Sequence, residues 1–136
     1  ELNSYLVQDE PRGFSTAVCV LIDGASNQIS FSNAGHQFPI LRSTQLLPQA
    51  YYFLGADKLG LPLGIVENIE FEDVDFPLHQ GDSLLVASFS YQDRGEQSLP
   101  LGLSTEHDLE TTVHEVFDQV DLSYTNPCIL CFQTNP

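Results

Sequence analysis

Two cysteines near the end of the sequence, Cys128 and Cys131, have a spacing that occurs in metal sites. Structural zinc sites need four protein ligands, and the sequence has no second Cys-x-x-Cys pair and one further cysteine, Cys19. The pair also lies in the apolar run 127–132, which predicts a buried strand, and residues three apart on a strand point to opposite faces. We therefore predict structural thiols, with neither a zinc site nor a disulfide framework, as suits a cytoplasmic protein.

The other chemically capable side chains form no catalytic pattern. His79 precedes a turn, and His107 and His114 lie seven residues apart on one face of a predicted helix, which is far commoner on a neutral surface than at a metal site. Three serines lack the Gly-x-Ser-x-Gly context of a nucleophile elbow: Ser15, Ser88 and Ser90. The acidic segment 67–75 lacks the spacing and glycine of a calcium loop, so we predict the solvated face of a strand.

The composition limits the classes of partner. The chain has 136 residues, of which 42% are hydrophobic, enough for one domain with a packed core. Four basic and 19 acidic residues give a net charge of −15, which argues against binding nucleic acid or anionic membranes. A basic protein partner or divalent cations remain compatible with it. The sequence starts without methionine, and we expect it to belong to a longer protein.

Alternating and continuous apolar runs predict a mostly antiparallel β fold. The strands are expected at 14–23 (a central strand), 28–33, 39–42, 51–54, 74–76, 84–87 and 128–132. Asp23-Gly24 predicts a hairpin between the first two strands, with Ile29 and Phe31 on one face. The run 84–87 predicts a fully buried strand, which we expect to pair with 74–76 across the Gly81-Asp82 turn.

Helical spacing is clearest near the end of the chain. One face carries five apolar residues: Leu109, Val113, Val116, Phe117 and Val120. We predict that Ser104 or Thr105 caps this helix and that Glu106 and Asp108 lie in its first turn, where the helix dipole favours acids. A second, short helix is predicted at 2–7.

Several short motifs follow one another along the chain. They are Leu2-Asn3, Phe14-Ser15-Thr16, Ser32-Asn33-Ala34-Gly35-His36, Pro39-Ile40-Leu41, Leu61-Pro62-Leu63-Gly64 and Gly81-Asp82-x-Leu84-Leu85. In this order and spacing they resemble the SpoIIE- and RsbU-like serine/threonine phosphatases of the PPM type, over residues 2–133. The resemblance implies that His36 is structural, and Gly35 is expected in a backbone conformation closed to other residues.

The resemblance implies an α+β fold, an αββα sandwich of two antiparallel sheets flanked by helices. Residues 1–136 would form the C-terminal portion of one such domain, and the upstream part and a sensor or receiver domain would be missing. Without the upstream strands a sheet edge and an apolar face would be exposed. We therefore expect that the natural chain supplies that segment or that two copies cover each other as a homodimer.

In the family, two Mn²⁺ or Mg²⁺ ions held by carboxylates activate a water for attack on phosphorus. One carboxylate belongs to an Asp-Gly segment upstream of residue 1. The second follows the Gly-Asp strand, where this sequence has Phe89-Ser90 in place of Asp-Gly. The third is an Asp-Asp pair before the last strand, where it has Thr125-Asn126. A phenyl ring cannot ligate a hard cation, so the resemblance implies no catalytic and no metal-binding residue in this chain.

We therefore predict a pseudophosphatase: a degenerate, cytoplasmic output domain of a bacterial response regulator that binds a regulatory protein and needs no cofactor. It would contact neither nucleic acid nor membrane. The alternative is an active Mn- or Mg-dependent phosphatase acting on a phosphorylated regulatory protein, with ligands relocated to Asp93 or Asp121. A third interpretation is an unrelated small acidic β-domain.

Overall fold

The computed structural model describes residues 1–8, 13–45, 50–55, 57–58, 60–88, 108–118 and 128–134. Their elements are α1 (Leu2–Gln8), β1 (Ala17–Asp23), β2 (Gln28–Ala34), β3 (Ile40–Ser43), β4 (Ala50–Phe53), β5 (Asp73–Pro77), β6 (Ser83–Ala87), α2 (Leu109–Asp118) and β7 (Ile129–Gln133). The strands form two antiparallel sheets, with strand orders β1-β2-β5 and β4-β3-β6-β7. The predicted α+β class with two antiparallel sheets is confirmed.

The first of two compact units consists of Glu1–His36 and Gly55–Leu78 and contains the three-stranded sheet. The predicted hairpin of β1 and β2 is confirmed, with a register that runs from Ala17↔Ala34 to Asp23↔Gln28. Its turn is closed by the Asp23 carboxylate, which accepts hydrogen bonds from the Ala25 N–H and the Ser26 hydroxyl. These bonds, the one from Ser26 foremost, lower the pKa of Asp23.

The alternation of β2 places its apolar residues on one face, as predicted. Ile29 and Phe31 are buried, and the Phe31 ring stacks on that of Phe76 in β5 with centroids 6.0 Å apart. On the opposite face the Ser30 hydroxyl donates to the Asp75 carboxylate. The prediction of a central first strand is wrong for the described part of the sheet, because β2 lies in the middle and β1 at the edge.

The second unit consists of Gln37–Leu54 and His79–Pro136 and contains the four-stranded sheet with α2. One face of this sheet and one face of α2 form a common core. Its buried residues are Ile40, Tyr51, Leu85, Ala87 and Val116. The Tyr51 hydroxyl lies 3.2 Å from the hydroxyl of Thr112 on the helix, so the buried polar atoms of this contact are paired.

The predicted pairing of the strands at 74–76 and 84–87 is wrong. β5 pairs with β2, whereas β6 lies between β3 and β7. The burial patterns explain the difference: β5 has one solvated face and suits a sheet edge, and the nearly continuous burial of β6 requires a neighbour on each side. Between them the Asp82 N–H donates to the His79 carbonyl at 3.1 Å, which closes the connecting turn.

The last strand is less buried than predicted. Among the described strands β7 lies at the edge of its sheet, and Leu130 is 68% exposed in the structure. Ile129 and Cys131 point to the other face, where they pack against the core shared with α2. The apolar run therefore predicted the strand correctly, but only one of the two faces of the strand packs against the core.

Asp108, predicted to lie inside the helix, is instead the residue that caps α2. Its carboxylate accepts a hydrogen bond from the Thr111 N–H at 2.7 Å, and α2 starts at Leu109. The predicted caps Ser104 and Thr105 lie outside the described residues, as does Val120. Leu109, Val113 and Val116 face the core as predicted.

Replacing Asp108 with alanine should lower the free energy of unfolding by about 1 kcal/mol, the usual cost of losing a capping side chain. Urea denaturation followed by circular dichroism measures it. Glu110→Ala, in the exposed first turn, is the matched control and should cost clearly less. Equal losses in the two variants would mean that the charge near the helix start matters and the cap does not.

Candidate functional site

The three positions at which the family resemblance places metal ligands are Phe89, Thr125 and Asn126, and they lie outside the described residues. Asp93 and Asp121, the alternative ligands, lie outside them as well. Within the described residues no group of three or more His, Cys, Asp or Glu side chains could hold a metal ion. The structure does describe the two strands next to these positions in the sequence, β6 and β7.

Those strand ends are joined to each other. The Ser88 N–H donates to the Cys128 carbonyl, and the Cys128 N–H donates to the Ser88 hydroxyl oxygen, both at 2.9 Å. Phe89 follows Ser88 directly in the sequence, and Asn126 stands two residues before Cys128. The two family positions therefore depart from one pair of bonded residues, at the same end of neighbouring strands β6 and β7.

The other end of β6 is fixed by Asp82, whose side chain is fully buried. One carboxylate oxygen accepts hydrogen bonds from the Thr44 N–H at 2.7 Å and the Thr44 hydroxyl at 3.1 Å. The other oxygen accepts from the His79 N–H at 2.8 Å and lies 3.3 Å from the His79 ring nitrogen Nδ1. The Asp82 carbonyl in turn accepts from the Thr134 N–H. Asp82 thus ties β6 to the segment after β3 through its buried carboxylate and to the segment after β7 through its backbone carbonyl.

The cysteines contribute no joint site. All three are free, as predicted, and no disulfide forms. Cys128 is exposed, whereas Cys131 packs against the core, and burial raises the pKa of the Cys131 thiol. Cys131 is therefore a structural thiol that reacts less readily than an exposed one.

The backbone of His36 is held by the side chain of Asn33. The Asn33 side-chain oxygen accepts the His36 N–H at 2.8 Å, and the Asn33 amide nitrogen donates to the His36 carbonyl at 3.0 Å. Asn33 is only 4% exposed, so one buried amide holds the backbone of the segment 33–36. Gly35, inside this segment, has φ +68°, which confirms the predicted conformation.

The turn around Pro62 packs closely on this segment. A Cβ atom on Gly35 would lie 2.6 Å from the Pro62 Cγ, and one on Gly60 would lie 2.1 Å from the Asn33 carbonyl oxygen. Nearby, Ser15 and Leu63 exchange two backbone hydrogen bonds of 3.0 and 2.8 Å. Motifs that are distant in the sequence therefore meet in one place in the first unit.

Asn3 attaches α1 to the same turn. Its amide nitrogen donates to the Val66 carbonyl at 2.9 Å, and its oxygen accepts the Gly64 N–H at 2.8 Å. The Leu2-Asn3, Phe14-Ser15-Thr16, Asn33–His36 and Pro62–Gly64 motifs are thus parts of one architectural cluster. None of them presents a nucleophile with a base beside it among the described residues.

The sequence analysis missed the side-chain roles of Asp82, Asn33 and Asn3. Each is a short polar side chain next to a turn or a helix end, a position where Asx residues commonly bond to nearby backbone. That signal was available for Asn33 and its own turn. It could not identify Thr44 or Val66 as partners, because these lie far away in the sequence.

Among the described residues, no helix is long and apolar enough to cross a membrane. Lys58 and Glu72 form an ion pair, in which the Lys58 ammonium lies 2.8 Å from the Glu72 carboxylate. The hydrogen bond that Lys58 donates to Glu72, and the negative charge of Glu72, raise the pKa of Lys58.

Comparison with solved structures identifies the fold. The phosphatase domain of the cell fate determinant SpoIIE from Bacillus subtilis matches with a TM-score of 0.56 and 14% identity, over 98% of this chain and 63% of that one. The same domain presoaked with Mn matches with a TM-score of 0.53 and 16% identity, over 90% and 57%. The RsbU and RsbW domains of Rv1364c from Mycobacterium tuberculosis match with a TM-score of 0.50 and 23% identity, over 63% and 23%.

The chain thus spans less than two thirds of the length of each of these structures. No curated protein matches it. The family model for stage II sporulation protein E (SpoIIE) matches residues 1–88, more than half of the sequence. This match excludes the interpretation as an unrelated acidic β-domain. The architectural cluster, the two antiparallel sheets and the family match lead to one assignment: the chain belongs to the SpoIIE family of PPM-type phosphatase-like domains.

Proposed function

We propose that this chain is a catalytically degenerate PPM-type domain that acts by binding a regulatory protein, as the output domain of a cytoplasmic bacterial response regulator. The observation that carries the proposal is Phe89, which stands where the resemblance places a metal-binding aspartate after β6. The family match ends at residue 88, one residue before this substitution. An apolar ring offers no oxygen to a hard cation.

A second substitution supports the same proposal. The acidic pair expected before β7 is replaced by Thr125-Asn126. Both replacements offer at most a neutral oxygen, which cannot offset the charge of two divalent ions. The donor set that this sequence contributes at the joined ends of β6 and β7 therefore does not fit a dinuclear Mn²⁺ or Mg²⁺ centre.

The residues that persist have another kind of role. Asn33, Gly35 and Asp82 fix backbone geometry, and the structure gives each a partner that depends on its identity. A domain that keeps these residues and lacks the ligands retains the fold and its surface. Such a domain can still present a surface to a partner protein, as the proposed binding function requires.

The proposal is tested by Mn²⁺ titration calorimetry and phosphopeptide hydrolysis on the protein at its full natural length. We expect no micromolar binding and no turnover, because only weak, nonspecific association with surface acids remains. Micromolar binding accompanied by hydrolysis would contradict the proposal and would favour an active phosphatase that uses Asp93 or Asp121.

A gain-of-function variant sharpens this test. Phe89→Asp combined with Asn126→Asp should create detectable Mn²⁺ affinity, since it restores carboxylates at two positions where the resemblance places metal ligands. Phe89→Leu with Asn126→Leu is the matched control and should bind no more Mn²⁺ than the unmodified protein. Equal affinity in both variants would show that these positions are misassigned.

A further inference from the structure

One side of the first unit exposes large apolar side chains around a single turn. We call this set the α1–turn patch; its members are Leu2, Tyr5, Phe14, Leu61, Ile65 and Val66. They are between 44% and 74% exposed. Scattered apolar residues on a surface are ordinary, whereas a group on adjoining segments marks an interaction site.

The segments of the α1–turn patch are tied together by hydrogen bonds. Asn3 connects α1 to the turn through the Val66 carbonyl and the Gly64 N–H. Ser15, next to Phe14, is bonded to Leu63 in both directions. Leu2 and Tyr5 are three residues apart on α1 and therefore share one helix face. The apolar side chains thus stand on a braced surface, which lowers the entropy lost when a partner binds.

Acidic residues accompany the α1–turn patch. Glu1 precedes its first residue and Glu67 follows its last, and both are exposed. The following stretch adds Glu70, Glu72, Asp73 and Asp75, all exposed. Among the residues of this unit that the structure describes, Lys58 is the single lysine or arginine, and it is paired with Glu72. Glu1 and Glu67, which directly adjoin members of the patch, therefore give it an acidic rim.

We propose that the α1–turn patch is a docking surface for a protein segment that presents apolar side chains flanked by lysine or arginine. The proposal rests on the proposed function as a binding domain and identifies where and by what chemistry it binds. Opposite charge steers and orients such a segment, while the apolar contacts supply affinity. A second copy is a poor occupant, because pairing two such surfaces would oppose acidic rims on chains of net charge −15.

The test uses a labelled amphipathic helical peptide of leucine and lysine, titrated into the protein at its full natural length and followed by fluorescence anisotropy. A peptide of leucine and glutamate with the same apolar pattern is the control probe. We expect the lysine peptide to bind and to shift the NMR signals of Tyr5, Leu61 and Ile65. The glutamate peptide should bind at least about tenfold more weakly, since it meets the acidic rim with like charge.

Variants locate the site. Tyr5→Ser and Ile65→Ser should each weaken the lysine peptide about tenfold, because each removes an apolar anchor. Leu21→Ser is the matched control: Leu21 is 65% exposed in the same unit and lies outside the α1–turn patch, so its loss should leave binding unchanged. Glu67→Lys should weaken the lysine peptide, because it reverses the charge next to Val66.

Several results would overturn the proposal. One is equal weakening by Leu21→Ser and Ile65→Ser; another is equal binding of both peptides. A dimer that Ile65→Ser dissolves in sedimentation velocity would assign the patch to a second copy. If the patch of the natural-length protein is protected from hydroxyl-radical labelling when no peptide is present, another part of that chain covers the patch. Phosphopeptide turnover would contradict the proposed function and leave these peptide results unaffected.

Discussion

Replacing Asp82 with alanine is expected to lower the free energy of unfolding by about 3–5 kcal/mol. The change removes a fully buried carboxylate and leaves the partly buried N–H groups of Thr44 and His79 without their acceptor. A hydrogen bond to a charged group contributes about 1.5–3 kcal/mol, and two such backbone bonds are lost. Since a domain is stable by about 5–15 kcal/mol, the variant should unfold at a much lower urea concentration.

Two further variants show whether the carboxylate is the cause. Asp82→Asn should cost less than alanine, because an amide keeps one acceptor oxygen while its NH₂ opposes the second donor. Asp23→Ala is the matched control: Asp23 also accepts two hydrogen bonds in a turn, but it is exposed, so water replaces the lost acceptor. If Asp82→Ala and Asp23→Ala destabilise equally, burial of the Asp82 network does not carry the effect.

Much of the secondary structure follows from side-chain periodicity. The alternation in β2 predicts its buried face, and the recurrence of Leu109, Val113 and Val116 predicts the face of α2. These patterns are local, so a single sequence contains them. Strand pairing is different, because it depends on contacts between residues that are far apart in the sequence. β5 and β6 are adjacent in sequence, yet each pairs with an earlier strand and they belong to separate sheets.

The site divides in the same way. Family motifs located Phe89, Thr125 and Asn126, whereas no periodic or spacing rule could assign them a role. Physical rules in turn predicted the backbone of Gly35, and the structure confirms it. Two partners could not be predicted, Thr44 for Asp82 and Val66 for Asn3, because they lie far away in the sequence. Local turn chemistry can indicate a nearby partner such as His79, whereas only the fold brings the distant ones into contact.

The motif residues Asn33, Gly35 and Asp82 therefore have architectural roles. Asp82 holds the start of β6, and the Asn33–His36 segment holds the end of β2. These roles need no metal, since their partners are backbone groups of the chain. The proposed loss of metal ligands at Phe89 and Asn126 therefore removes none of these bonds.

Replacing Gly35 with alanine is the second change for which we expect a large effect, a loss of about 3 kcal/mol or more in the free energy of unfolding. The φ of +68° costs an L-residue about 1–2 kcal/mol. The added Cβ would also lie 2.6 Å from the Cγ and 2.8 Å from the backbone nitrogen of Pro62. A backbone atom cannot move aside as a flexible side chain can, so the turn at Pro62 must shift.

Gly35→Asn separates the two causes, because asparagine tolerates positive φ better than alanine and carries the same Cβ. If the clash with Pro62 dominates, the asparagine variant should be no more stable than the alanine variant; a clear recovery would assign the loss to backbone strain. Gly24→Ala is the matched control, since a Cβ there meets nothing within 4 Å, and it should be nearly neutral. A Gly35→Ala protein as stable as Gly24→Ala would contradict the close packing of the two motifs, and with it the rigid cluster on which the α1–turn patch depends.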